Sequence, residues 1–148
     1  MADEKPKAEG NKTYVTDNDL RSFLKDNSPL ENTLIDDLEF SAEDIRQAFT
    51  YACDRWNDQP PYIGTYDYVD FPWRSKLTAG AAAYLLQAAA HRFRRNALQY
   101  SAGGLTVADQ EKYQQYDQAA ERLSQEFIEW VVMNKRSLNA ESGFAVIG

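Results

Sequence analysis

The chain has 148 residues, long enough for one domain with a core of its own, and its 16 basic against 23 acidic side chains give a formal net charge of −7, which disfavours general binding to nucleic-acid backbone. One cysteine allows no intrachain disulfide, and the N-terminal MADEKPKAEGNK lacks the apolar character of a secretory signal, so a reducing cytoplasm is the expected setting. The longest apolar run, Ala79 to Leu86, is far shorter than the roughly 20 residues that span a bilayer, and no membrane role is expected.

Residues 1–15 read as a polar N-terminal tail, short of apolar anchors. Thr16 is placed to cap a short helix with Leu20, Phe23 and Leu24 on one face, ended by Asn27-Ser28-Pro29 because a residue before proline avoids the helical region. Ser28-Pro29-Leu30-Glu31 has the form of a capping box and predicts a further turn or two carrying Leu30 and Leu34 inward. Ser41 opens a clearer helix to about Asn57, with Asp44 as an imperfect capping-box partner and Ile45, Phe49, Ala52 and Trp56 along one stripe.

Pro60, Pro61, Gly64 and Pro72 forbid a continuous helix between Gln59 and Arg74, while Tyr62, Tyr66, Tyr68, Phe71 and Trp73 supply large contact area. The segment reads as an extended aromatic loop or arm with at most one short strand. It either covers the domain's own core or anchors on a neighbour.

Ser75 to Tyr100 is the central helix. Apolar or small residues cover nearly all of its first half, which makes it a buried helix that neighbouring backbones can approach closely. His91, Arg92, Arg94 and Arg95 then gather toward its end, where the helix dipole favours cations. Ser101-Ala102-Gly103-Gly104 is a turn, and Thr106 with Asp109 opens the last helix.

In that helix Tyr113, Tyr116, Ala120, Leu123, Phe127 and Trp130 fall at alternating spacings of three and four, a narrow seam that calls for one helical partner, the antiparallel central helix. It is expected to end near Lys135 or Arg136, after about 29 residues and roughly 43 Å. Residues 137–148 then form a docking tail, whose Phe144, Val146 and Ile147 are apolar, β-prone and suited to another subunit's edge or groove. The fold class is all-α: a small bundle of about four helices spanning 16–136, with a long last helix, an extended aromatic loop and extended terminal tails.

Chemistry is sparsely marked. His91 is the sole histidine and has no nucleophile or carboxylate spacing around it; Cys53 lies beside an apolar stripe with no activating neighbour. The acidic stretch from Glu31 to Asp44 lacks the alternation and central glycine of a calcium loop. No catalytic residue, metal site or cofactor is expected. The basic cluster Arg74, Lys76, His91, Arg92, Arg94 and Arg95 leaves three readings open: salt bridges within the chain, pairing with the acidic 31–44 segment of an adjacent copy, or phosphate contacts.

The order of LRSFLKDN, SAEDIRQAFTYACDRWND, PPYIGTYDYVDFPWR, an Ala-rich helix and YSAGGLTVAD before a long last helix resembles the head-tail connector (adaptor) proteins of tailed-phage virions, over residues 17 to 136. The resemblance implies a non-enzymatic structural subunit, assembled in the host cytoplasm and resident in the virion neck. Such a subunit forms a ring, commonly twelve-fold, beneath the portal protein, and grips the portal and other neck or tail proteins with extended arms and C-terminal segments. DNA passes through the channel without specific binding; twelve copies at −7 each would carry a formal −84, which suits that passage. Tyr62, Tyr66, Tyr68, Phe71, Trp73, Arg92, Arg94, Arg95, Phe144, Val146 and Ile147 are the subunit-interface candidates. A different neck, tail-completion or baseplate subunit, or a protein-interaction module outside the virion, is the alternative.

Overall fold

Two capping boxes start the fold. The computed structural model describes residues 15–26, 39–99 and 107–146, which hold helices α1 (Asp17–Leu24), α2 (Ala42–Asp58), α3 (Arg74–Gln99) and α4 (Val107–Val146). At α1 the Thr16 hydroxyl accepts from Asp19 N at 3.3 Å while the Asp19 carboxylate accepts from Thr16 N at 2.7 Å. Ser41 and Asp44 repeat the exchange at α2, at 3.1 and 2.9 Å, so Asp44 is a full capping-box partner. Each cap is preceded by a buried apolar residue, Val15 or Phe40, and followed four positions into the helix by another, Leu20 or Ile45, the placement of a hydrophobic staple.

α1 ends on Lys25, whose φ of 59° is left-handed, with Asp26 N donating to Arg21 O at 2.9 Å. This Schellman closure delivers the buried Asp26 carboxylate to the start of α2. There it accepts from Glu39 N, Phe40 N and the Arg21 guanidinium at 2.8, 3.1 and 3.0 Å, and Arg21 also donates to Phe40 O. A carboxylate so surrounded has its desolvation offset by charge-assisted bonds, and it ties the two helices together.

α2 buries its expected stripe of Ile45, Phe49, Ala52 and Trp56, together with Ala48 and Cys53. In α3 Leu77, Ala81, Ala82, Leu85 and Ala89 are buried, and the small residues let α4 run alongside. The pair is antiparallel: Phe93 meets Tyr116 with ring centroids 5.6 Å apart at one end, and Trp73 meets Trp130 at 5.5 Å at the other. Between them Gly80 faces the Phe127 ring, which a Cβ at that position would approach to 2.9 Å. Glycine is required there by space.

Three expectations are corrected. Phe23 does not join Leu20 in the core; it is 49% exposed, because a helix of 8 residues turns only Leu20 and Leu24 onto α2 and α3. α3 spans Arg74–Gln99, within a residue of the expected Ser75 to Tyr100, but that length puts Arg92 to Arg95 before its last turn, so the dipole benefit expected for them is small. α4 is 40 residues long, roughly 60 Å, and passes through the segment expected as an extended tail from 137 to 146. Nothing from Ser137 to Ser142 breaks a helix, and Leu138 packs against the core one seam position beyond the expected end. The turn or two predicted after Ser28, the Gly103-Gly104 turn and the Thr106 cap lie outside the described residues.

Candidate functional site

The loop from Gln59 to Trp73 is where the structure departs most from a plain bundle. Among the described residues no strand forms; the side chain of Asn57 takes a strand's place, donating to Tyr66 O at 2.8 Å and accepting from Tyr66 N at 2.9 Å. That two-point clamp fixes the loop's midpoint to the last turn of α2. On either side the aromatic residues divide into two sets.

The inward set is a continuous ring cluster. Trp56 meets Tyr66, Phe71 and Trp73 with centroids at 5.0, 6.2 and 5.9 Å, and Tyr68 stacks on Phe49 at 5.9 Å. Phe71 is buried, and Tyr66, Tyr68 and Trp73 pack against the same core. These four help cover their own domain, each ring having aromatic partners at edge or stacking distance, and Trp73 also lines a surface hollow. Tyr62 alone of the five candidates faces solvent, 76% exposed, and Val69, which the sequence did not single out, is 52% exposed.

Beneath Tyr62 lies a buried cation. Lys135 is fully buried, its Nζ donating to the carbonyls of Asn57, at 3.4 Å, and Gln59, and standing 4.2 Å from the Trp56 ring centroid. The same ammonium is 5.9 Å from the Tyr62 ring. It satisfies carbonyls at the C-terminus of α2, where a cation is favoured, and burial depresses its pKa below 10.5 despite the opposing pull of Asp58. The signal was in the spacing: Phe127, Val131, Lys135 and Leu138 continue the seam at intervals of four, four and three.

The cations do not form one patch. Arg74 and Lys76 open α3, whereas His91 to Arg95 lie about 25 Å further along the helix. Arg74 pairs with Asp19 and holds its carboxyl below the ordinary 3.8; Lys76 sits 5.9 Å from the Trp130 ring centroid. Arg92 reaches Glu39 at 3.5 Å, while Glu39 also accepts from the Tyr116 hydroxyl at 3.3 Å. Burial and then the Glu39 charge push that hydroxyl up to about 12. Arg94 lies over the Tyr113 ring at 4.7 Å, and Arg95 is exposed. Contacts within the chain therefore engage Arg74, Arg92 and Arg94.

Surface hollows flank α4 among the described residues. One, of about 440 Å³, is polar and lies between Arg55 of α2, Gln87 of α3 and Ser124 of α4, with Arg55 donating to Ser124 Oγ at 2.8 Å. Another, of about 860 Å³, is lined by Trp73, Trp130, Phe23, Arg74 and Lys76 among others. Cys53 is buried and its thiol is pushed up to about 12 by desolvation, then by Asp54, Asp67 and Asp70, so it stays protonated and unreactive. Among the described residues no group of three His, Cys, Asp or Glu side chains is placed to hold a metal ion, and no helix is long and apolar enough to cross a membrane. Phe144 and Val146 belong to the backbone of α4, and Ile147 lies outside the described residues. The chain matches no family model, no curated protein and no solved structure.

Proposed function

We propose that this chain is a structural subunit that assembles with copies of itself, of the head-tail connector type that its element order resembles. The observation that carries the reading is the rigid presentation of apolar side chains on the 59–73 loop. Tyr62 and Val69 are 76% and 52% exposed, yet the loop bearing them is clamped by Asn57, Lys135 and the Trp56 ring cluster. Exposed apolar groups on a mobile loop cost little. Held in a fixed array, they lower the ordering cost of binding, which is how a docking surface is preorganised.

The length of α4 supports the same reading, since a helix of roughly 60 Å offers surface beyond what α3 covers. In this proposal the subunits form a ring in the neck of the particle, in contact with the portal and adjoining neck or tail proteins. DNA passes the acidic assembly without specific binding. Phe144, Val146 and Ile147 are the proposed C-terminal contacts with those neighbours.

Electron microscopy of the purified chain at rising concentration tests the proposal. Closed rings are expected. A chain that stays monomeric at every concentration and is missing from purified particles would overturn it.

A further inference from the structure

The chain carries two exposed features that complement each other. The first is a knuckle at 67–70. Asp67 Oδ1 accepts from Val69 N and Asp70 N at 2.9 and 3.1 Å, and Asp70 Oδ1 accepts from Asp67 N at 2.9 Å. The turn is thus closed by its own carboxylates at both ends, and Tyr68 pins it to Phe49. It presents Val69 to solvent between two exposed acids, whose Oδ2 atoms make no hydrogen bond among the described residues.

The second feature is the hollow of about 860 Å³ between α1, the start of α3 and α4. Trp73, Trp130 and Phe23, 49% exposed, are its large apolar lining residues, and Asp19, Arg74 and Lys76 are its charged ones. Asp19 neutralises Arg74, which leaves Lys76 as the lining cation with no carboxylate in ion-pairing distance among the described residues. Apolar lining and basic charge match apolar tip and acidic flanks.

We infer that the occupant of this hollow is the 67–70 knuckle of a second copy of the chain, with Val69 against Trp73, Trp130 and Phe23 and the Asp67 and Asp70 carboxylates toward Lys76. This rests on the self-assembly proposed above and names the contact that makes it. Both halves sit on one chain, so each copy donates one and receives one. Repeated in one direction the contact generates a ring or a filament; made reciprocally it gives a two-fold dimer. Burial of the apolar tip supplies affinity, and the attraction between the two carboxylates and Lys76 favours this pairing over contacts between like charges.

Two exposed-site variants of the full chain test this. Phe23→Asp with Lys76→Glu disables the hollow, and Val69→Lys disables the knuckle; circular dichroism verifies that each remains helical. Lys76→Glu alone replaces the double variant should that lose helicity. In sedimentation velocity each variant alone is expected to self-associate about tenfold or more weakly than the parent, because like charges then face each other. An equimolar mixture is expected to recover a one-to-one complex, since the intact knuckle of one meets the intact hollow of the other. Parent-like association of either variant would overturn this contact and leave the self-assembly proposal standing. Folded variants that stay monomeric when mixed would also overturn it, and a parent chain that never associates and is missing from purified particles would overturn both.

Discussion

Replacing Lys135 separates the two roles its side chain plays. Lys135→Ala removes three buried methylenes, worth roughly 2 kcal/mol, and the contact with the Trp56 ring, worth about 2 kcal/mol when desolvated. It also leaves the Asn57 and Gln59 carbonyls without their donor, at a further 1 to 3 kcal/mol or so, while relieving the desolvation of the ammonium, which takes back a comparable amount. The net expectation is a loss of about 4 kcal/mol for Lys135→Ala and about 2 kcal/mol for Lys135→Met, which keeps an apolar stem and loses the ammonium. Urea unfolding followed by circular dichroism gives both values.

The pH dependence has a definite sign. The folded-state pKa of Lys135 lies below its unfolded value of 10.5, so in the window between them the unfolded chain binds more protons and stability rises with pH. Cys53 and Tyr116, both pushed up to about 12, act oppositely above their ordinary values of 9.0 and 10.0. The difference between the parent and Lys135→Met isolates the lysine and should move in the parent's favour as pH approaches 10.5. Equal stability of the alanine variant and the parent, or a difference that moves the other way, would refute a buried, clamped ammonium.

The remaining predictions concern packing, capping, the thiol and the end of α4. Gly80→Ala gains up to about 1 kcal/mol of helix propensity but forces the buried Phe127 ring aside, and is expected to lower stability by about 1 to 2 kcal/mol in thermal unfolding. Asp19→Ala removes half of a capping box and the partner of Arg74, for a loss of about 1 kcal/mol. The Asp19 part of stability is present above pH 3.8 and fades as pH falls through the lower folded-state value, so the variant and parent should converge in acid. Cys53 should react with a thiol reagent only at the rate of unfolding, and prompt reaction in the native chain would contradict its burial. Deleting 143–148 should leave the chain folded, because Leu138, the last of the described seam residues packed against the core, is retained, and should weaken assembly.

Much of the fold was legible because local chemistry decided it. Thr16 and Ser41 marked the helix starts through caps that need only four residues, and the stripe from Ile45 to Trp56 had one apolar period to obey. The antiparallel pairing of α3 and α4 followed from a narrow seam facing a helix of small residues. The end of α4 was misjudged because β propensity in the last residues was weighed above the continuing seam at Leu138. Lys135 was missed because a charge at a seam position reads as surface until the α2 carbonyls come within reach of it.

The candidate surface was half legible. Aromatic abundance in the 59–73 loop pointed to the right segment, yet composition could not tell Tyr62 from Tyr66, whose fates are set by the Asn57 amide across nine residues of chain. Val69 was overlooked beside larger rings, although its flanking Asp67 and Asp70 are what hold it outward. The cations were grouped by sequence nearness to one helix, and the length of that helix separates them.

Sedimentation equilibrium of the full chain over a wide concentration range, run beside Tyr62→Ser and Val69→Lys, bears most directly on the loop as an assembly surface. A species larger than the monomer that grows with concentration in the parent, and is lost in both variants with helicity intact, is the predicted result. A parent that remains monomeric throughout, or an oligomer indifferent to both substitutions, would contradict it.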